Sequence, residues 1–238
     1  MNWLERTELL VQKEGIEKIK NANILVVGLG GVGSFAAEFI ARAGVNKITI
    51  VDGDVFDKTN INRQLPALHS TIGKSKAKTI ADRLKDINPD IELTVLEEFL
   101  SPERAFEIVT PDYDYVLDCI DSISPKVNLI VAARRKKVKL ISSMGAGGKL
   151  DASKVKVKDI SKTKHCKMAK TLRKRLTKLK VDKGVKAVYS EEIQIPESLK
   201  LTDGINYKKS YYGTMSYMPA VFGLQAASHV INHLLTKK

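Results

Sequence analysis

Three glycines and one acid carry the first recognisable chemistry: Gly28, Gly30 and Gly33, in the run Gly28-Leu29-Gly30-Gly31-Val32-Gly33, and Asp52. The run follows a short β-branched apolar segment, Ile24 to Val27. It opens an Ala-rich segment, Phe35 to Ala43, that Gly44 closes, and a second apolar run, Ile48 to Val51, ends in Asp52. Strand, G-x-G-x-x-G, helix, strand and acid make a β-α-β unit suited to a nucleotide. Gly28 permits the tight turn, Gly30 lets backbone approach phosphate, and Gly33 lets helix and strand pack closely. The helix start offers N–H groups and the positive end of its dipole to an anion. Asp52 can accept hydrogen bonds from ribose hydroxyls. A purely structural glycine turn is the weaker reading, because strand, helix and acid all sit where nucleotide binding needs them.

Just past Asp52, the polar connection Gly53 to Ser70 gathers Asp54, Asn60, Asn62, Arg63 and Gln64. Such a connection at a strand's carboxyl end is where an open α/β sheet makes ligand contacts. Gly73-Lys74-Ser75 resembles the tail of a P-loop, but Leu68 stands where its first glycine belongs and no strand leads in. The P-loop is excluded, although Lys74 at the next helix start still faces the same side and can reach phosphate. Gly145-Ala146-Gly147-Gly148-Lys149 is either a hairpin turn or a place where substrate touches backbone. Cys166, among Lys164, His165 and Lys167, is either an activated thiol or a packing residue at a helix start; Cys119 reads as core. His229 and His233 have i, i+4 zinc spacing without the Glu of H-E-x-x-H or a third ligand, so a metal there is not expected.

The elements that position these residues follow from periodicity and punctuation. Asn2 to Lys20 reads as an amphipathic helix with Leu4, Leu9, Ile16 and Ile19 on its apolar side. Strands are expected at 91–96, 113–117 and 138–141, with a helix from Ser101-Pro102 and another after Ser122. Beyond 150, an edge strand at Val155 and Val157, a basic helix over 169–180 with Leu172, Leu176 and Leu179 on one face, and a strand at 185–189 are expected. A loop over 193–209 and a closing apolar helix over 221–235 complete the chain. The fold class is α/β: a Rossmann-like, doubly wound, mainly parallel sheet. The expected organisation is a nucleotide-binding region over 1–150 and a basic extension of the same domain over 151–238.

Charge is distributed unevenly. Residues 1–153 hold 21 Lys+Arg and 21 Asp+Glu, whereas residues 154–186 hold 14 basic residues and two acids, a net +12 of the chain's +13. A neutral body with a basic appendage suggests a polyanionic partner. Two cysteines make no disulfide framework, and no apolar run reaches membrane-spanning length. Without a signal-peptide pattern, a cytoplasmic location is expected.

Several of these motifs occur together in a known order. The glycine run with Ser34, Asp52-Gly53-Asp54, Asn60-x-Asn62-Arg63-Gln64, Ile72-Gly73-Lys74, Asn88-Pro89 and Asp118-x-x-Asp121 resemble the E1-like adenylating superfamily over about residues 20–150. That superfamily includes ubiquitin-activating enzymes and bacterial activators of sulfur-carrier proteins. Ser143 to Lys149, followed by Asp159-Ile160-Ser161-Lys162-Thr163 and a basic helix, is similar to its tRNA threonylcarbamoyladenosine dehydratase branch. There ATP is used to cyclise the threonylcarbamoyl group on an anticodon-loop adenosine.

The resemblance implies the following roles. ATP and Mg²⁺ are the cofactors; Gly28, Gly30, Gly31 and Gly33 hold phosphate, with Asp54 also on the nucleotide, and Asp52 holds ribose. Asn60, Arg63 and Lys74 contact the phosphates, Arg63 and Lys74 stabilise developing charge, and Asp121 binds the metal. Arg6 corresponds to an arginine that enters a partner subunit's site, which implies a homodimer. The tRNA anticodon stem-loop is the expected partner, with sulfur-relay or carrier proteins as further candidates. Activation of the C-terminal glycine of a ubiquitin-like sulfur carrier is the alternative, against which stand the missing C-x-x-C pairs and the basic appendage. An NAD-dependent oxidoreductase would leave Arg63, Lys74 and Asp121 superfluous, and a vestigial RNA-binding fold would not be expected to keep them.

Overall fold

Alternate residues of the first strand go to opposite faces: Ile24 and Val26 enter one apolar core, Leu25 and Val27 the other. A strand buried on both sides must lie between two helical layers. The computed structural model describes residues 2–201 and 210–236 and shows those layers. The first half contains α1 (Glu5–Lys20), β1 (Asn23–Val27), α2 (Gly33–Arg42), β2 (Lys47–Val51), α3 (Lys76–Ile87) and β3 (Glu92–Leu96). The middle adds α4 (Pro102–Ile108), β4 (Tyr115–Asp118), α5 (Ile123–Arg135) and β5 (Lys139–Ser143). Then come β6 (Val155–Asp159), α6 (Lys167–Lys178), β7 (Lys186–Ser190), β8 (Leu199–Leu201), β9 (Ser210–Tyr212) and α7 (Tyr217–Thr236).

The main sheet has seven strands in the order β3-β2-β1-β4-β5-β7-β6. All pairs are parallel except β6–β7 at the edge. Residues of α1, α2, α3 and α7 pack in one core and those of α4, α5 and α6 in the other. The doubly wound α/β expectation is therefore met. Strand order reverses between β1 and β4, which opens a crevice beyond their carboxyl ends. β6 and β7 extend the same sheet.

Three expectations are corrected. The first helix is broken at Gln12 (φ 62°), and Leu9 is 73% exposed rather than part of a buried face. Leu172 and Leu176 are buried under α6, but Leu179, just past its end, is 42% exposed. The expected loop over 193–209 contains a 3-10 turn, Pro196–Ser198, and strand β8; residues 202–209 lie outside the described residues.

Under the crevice lies a buried ion pair. Lys126 Nζ donates to Asp118 Oδ2 at 2.8 Å, and both side chains are fully enclosed. Ser142 Oγ donates to the same carboxylate oxygen at 2.6 Å, so β4, α5 and β5 meet at one charge. Burial pushes the Asp118 carboxyl pKa up; the Lys126 ammonium and the Ser142 hydroxyl act the other way. Removing one partner strands the other charge in the core. Lys126→Ala is expected to cost about 3–5 kcal/mol in urea unfolding. Lys126→Met combined with Asp118→Asn is expected to recover much of that loss, because no charge is then left unpaired.

Candidate functional site

The glycine run turns tightly at the end of β1. Gly28 has φ +86° and its N–H donates to the Val51 carbonyl at 2.8 Å. A Cβ at Gly28 would stand 3.0 Å from the Cys119 carbonyl, so the turn abuts the end of β4. A Cβ at Gly33 would fall 1.7 Å from the Gly28 carbonyl oxygen; only glycine lets α2 begin this close to the strand. Beside Gly30, by contrast, there is room: the nearest atom to a Cβ there would be Gln64 Nε2 at 3.6 Å.

Asp52 organises the loop from the other side. Its Oδ2 accepts the Leu29 N–H at 2.6 Å and its Oδ1 the Asp54 N–H at 2.8 Å. Each oxygen keeps further acceptor capacity, so ribose hydroxyls can still be bound. Burial pushes the Asp52 carboxyl pKa up, opposed by the Leu29 N–H and by Lys76. Asp54 is committed to Lys76, whose nearly buried Nζ lies 3.0 Å from Asp54 Oδ2. Lys76 was missed in the sequence, where nothing distinguishes it from Lys74 two positions earlier.

The polar connection folds back over the glycine run. A Cβ at Gly31 would lie 3.1 Å from the Arg63 carbonyl oxygen. Arg63 Nη1 donates to the Thr59 carbonyl at 2.7 Å and to Asn62 Oδ1 at 2.9 Å. Burial holds the Arg63 pKa below its ordinary value, while the charges of Asp121 and Tyr211 act the other way. Asn60 is buried and caps its own turn, its Oδ1 accepting the Asp57 N–H at 3.2 Å. Gln64 is also buried, and its Oε1 has no hydrogen-bond partner. Lys74 and Asp121 are exposed, on the connection before α3 and just past β4 respectively.

Arg6 stands apart. Leu4 packs on Gly44, at the far end of α2 from the glycine run. The 10 residues of α2 span about 15 Å. The remaining candidates also resolve. Cys119 is packed against the core, where burial pushes its thiol up to about 12, and buried Cys166 caps α6 by accepting the Ala169 N–H at 3.5 Å. His229 and His233 set their rings edge-on to Tyr115, with centroids 6.2 and 5.4 Å away. Among the described residues no group of three His, Cys, Asp or Glu could cage a metal, and no helix is long and apolar enough to cross a membrane. A 370 Å³ depression lined by Glu14, Glu17, Lys18 and Asp114 contains none of the candidate residues.

The basic segment divides into two parts. Lys156 and Lys158 on β6 pair with Glu191, at 2.8 and 3.3 Å. Lys164, Lys167, Lys170, Lys174, Arg175 and Lys178 are exposed on and before α6. Arg175 Nη1 donates to Ser124 Oγ at 3.0 Å, next to the turn carrying Asp121. Arg173 does not face outward with Lys174, as an unobstructed basic face would have it. Its Nη1 donates to the carbonyls of Ile160 and Thr163, at 3.3 and 3.2 Å, and to the Thr163 hydroxyl.

Comparison with known proteins gives a consistent result. Residues 4–238 match the ThiF family. The chain is 40% identical to a tRNA threonylcarbamoyladenosine dehydratase of Bacillus subtilis, over 99% of this chain and 95% of that protein. The Escherichia coli tRNA N6-threonylcarbamoyladenosine dehydratase, solved in complex with ATP, superposes with a TM-score of 0.87 at 35% identity, covering 97% of this chain and 93% of that one. Similarity to the molybdopterin-synthase adenylyltransferase of Salmonella typhimurium is 36% identity, but over 54% of this chain and 51% of that protein.

Arg173 and Lys174 are adjacent in sequence and separable by experiment. Arg173→Gln is expected to cost about 1–3 kcal/mol in denaturant unfolding, the scale of losing hydrogen bonds from a charged donor. Lys174→Gln, on the exposed face, is expected to stay within about 0.5 kcal/mol of the parent.

Proposed function

The chain belongs to the ThiF family, and from that premise we propose that it is an ATP-dependent tRNA threonylcarbamoyladenosine dehydratase. It activates the carboxylate of the threonylcarbamoyl group on an anticodon-loop adenosine and closes that group into a ring. The observation that carries this reading is the extent of similarity. Likeness to the dehydratases runs the length of the chain, through the basic second half, whereas likeness to the molybdopterin-synthase adenylyltransferase covers about half. A cytoplasmic location accords with a tRNA substrate.

A carboxylate resists substitution because its leaving group would be oxide. Attack of a carboxylate oxygen on the α-phosphorus of ATP expels pyrophosphate and leaves an acyl adenylate. A nucleophile within the same threonylcarbamoyl group then closes the ring, expelling AMP and a proton. The chain's task is to bring two anions together and spread the charge that develops. In this reading the glycine run and the start of α2 bind phosphate, and Asp52 orients the ribose. Arg63, half-buried and tethered through Nη1 to the Thr59 carbonyl, and Lys74, exposed before α3, oppose the charge on the phosphates. Asp54 holds Lys76 beside Asp52 and Asn60 shapes the turn that carries Arg63. Mg²⁺ favours one or two carboxylates plus phosphate oxygens over a protein cage, so exposed Asp121 suits it, and the bound ion would neutralise phosphate charge.

A second copy of the chain is the natural source of Arg6. On α1, Arg6 shares a helix face with Leu9 and Leu10, which are 73% and 82% exposed, next to Trp3 at 50%. Apolar side chains gathered this way favour burial against another protein surface.

Incubation with ATP, Mg²⁺ and tRNA carrying linear threonylcarbamoyladenosine tests the reading. Pyrophosphate release with a nucleoside lighter by one water supports it; absence of both, or adenylation of a ubiquitin-like carrier instead, refutes it. Asp121→Asn is expected to retain the fold and slow adenylation by at least ~100-fold. Arg6→Ala is also expected to be inactive, and mixing it with Asp121→Asn subunits to restore part of the activity, since some heterodimers then contain one intact site. Finally, the raised pKa of Asp52 means that its carboxylate is protonated at a higher pH than an ordinary one. Calorimetric affinity for adenosine, which has no titrating phosphate, is expected to weaken as pH falls through the mildly acidic range. Asp52→Asn is expected to remove that dependence.

A further inference from the structure

The strands β8 and β9 form a two-stranded antiparallel hairpin, with Leu199 opposite Tyr212 and Leu201 opposite Ser210. Such a hairpin is marginal alone, so what holds it is informative. The Gly148 N–H donates to the Gly213 carbonyl and the Gly213 N–H to the Ser198 carbonyl, both at 2.8 Å. The Ile195 N–H donates to the Gly148 carbonyl at 2.9 Å, and Asn62 Nδ2 donates to the Thr214 carbonyl at 3.0 Å. The Tyr212 ring lies against Gly148: a Cβ there would be 3.0 Å from Tyr212 Cδ1, and one at Gly147 2.9 Å from Tyr212 Cβ. The glycine cluster after β5 is therefore the seat of this hairpin. Tyr212 OH also lies 3.0 Å from Lys167 Nζ, which ties the seat to the basic helix α6.

Successive residues of a strand face opposite ways. With Tyr212 seated inward, Tyr211 is 41% exposed on the other side. An exposed tyrosine usually needs no explanation. This one stands on a strand held by backbone hydrogen bonds, three residues before the Thr214 carbonyl that accepts from Asn62, the neighbour of Arg63, and one before Tyr212, which meets Lys167 of lysine-rich α6.

We propose that Tyr211 is a stacking platform for an unpaired nucleobase of the substrate RNA, beside the adenosine that enters the crevice. The proposal rests on the tRNA reading above and deepens it. RNA is read chiefly in single-stranded loops, whose bases are splayed out and stacked on aromatic rings. An adenosine drawn from its loop leaves a neighbour without a stacking partner, and a rigid ring beside the crevice replaces it. The lysines of α6 supply the phosphate-tracking surface that such platforms accompany.

The test uses the full chain and an anticodon stem-loop with a fluorescent adenine analogue next to the modified adenosine. The parent is expected to quench that fluorophore on binding. Tyr211→Ala is expected to relieve the quenching and raise the KM for tRNA roughly 10- to 100-fold, the range for loss of one base–aromatic stack. Tyr211→Phe, which keeps the ring, is expected to behave as the parent. Calorimetric ATP affinity in the absence of RNA is expected to be the same in all three. Parent-like tRNA KM in Tyr211→Ala overturns the platform and leaves the dehydratase reading standing. An equal defect in Tyr211→Phe, or a fall in ATP affinity in Tyr211→Ala, also overturns it, since the first assigns the effect to the hydroxyl and the second to placement of Arg63. A parent inactive on tRNA refutes the underlying reading. If Tyr211→Ala spares RNA and instead abolishes adenylation of a ubiquitin-like carrier, the surface docks protein and the proposal falls.

Discussion

The contact between Gly33 and the Gly28 carbonyl is the constraint on which the rest of the site depends. With 1.7 Å available to a side chain, no other residue lets α2 start where it does. That start sets the first turn of α2 against the end of β1, at the strand-order reversal where β1 and β4 end side by side. The left-handed turn at Gly28 and the anchoring of the Leu29 N–H by Asp52 belong to the same unit. A tight turn made of backbone must be held by something rigid, and here the strand ends and one carboxylate do so.

The opposite wall of the crevice is fixed by charge. Asp118, Lys126 and Ser142 join β4, α5 and β5 with all three side chains fully buried. The turn with Asp121 and Ser122 rises directly from that junction, as does the chain that leaves β5 toward Gly145. An exposed acid thus sits on a firm base. The Asp118-x-x-Asp121 pair divides the work: the first acid is structural, and the second faces solvent.

The second half of the chain joins the same sheet through β7 and β6, and it returns to the crevice twice. Arg175 reaches Ser124, and the hairpin β8–β9 rests on the glycine cluster after β5. Not all of its positive charge is available to a partner. Glu191 takes Lys156 and Lys158, and Arg173 serves the backbone of the preceding turn. What remains exposed includes Lys167, Lys170, Lys174, Arg175 and Lys178 on α6, and Lys162, Lys164, Lys180, Lys183 and Lys186 on the segments around it.

Much of the fold was legible because its signals are local. The β-α-β unit, the glycine spacing, the acid after β2, the edge strand at Val155 and the excess charge of 154–186 all follow from neighbouring residues and short periods. Gly28, Gly33, Asp52 and the Arg63 connection stood out as candidates for that reason. The roles given to Arg6, Lys74 and Asp121 came from resemblance, since an exposed charge has no local pattern that separates a ligand from a solvated side chain. Only tertiary structure could reveal that Lys76 pairs with Asp54, that Lys126 neutralises Asp118, or that Arg173 is tied inward while Lys174 is not. Each depends on side chains brought together from separate elements, where distance and desolvation rather than residue type decide what a charge does. The glycines at 147 and 148 make the same point: in sequence they were a turn or a substrate contact, and in the fold they are the floor beneath Tyr212.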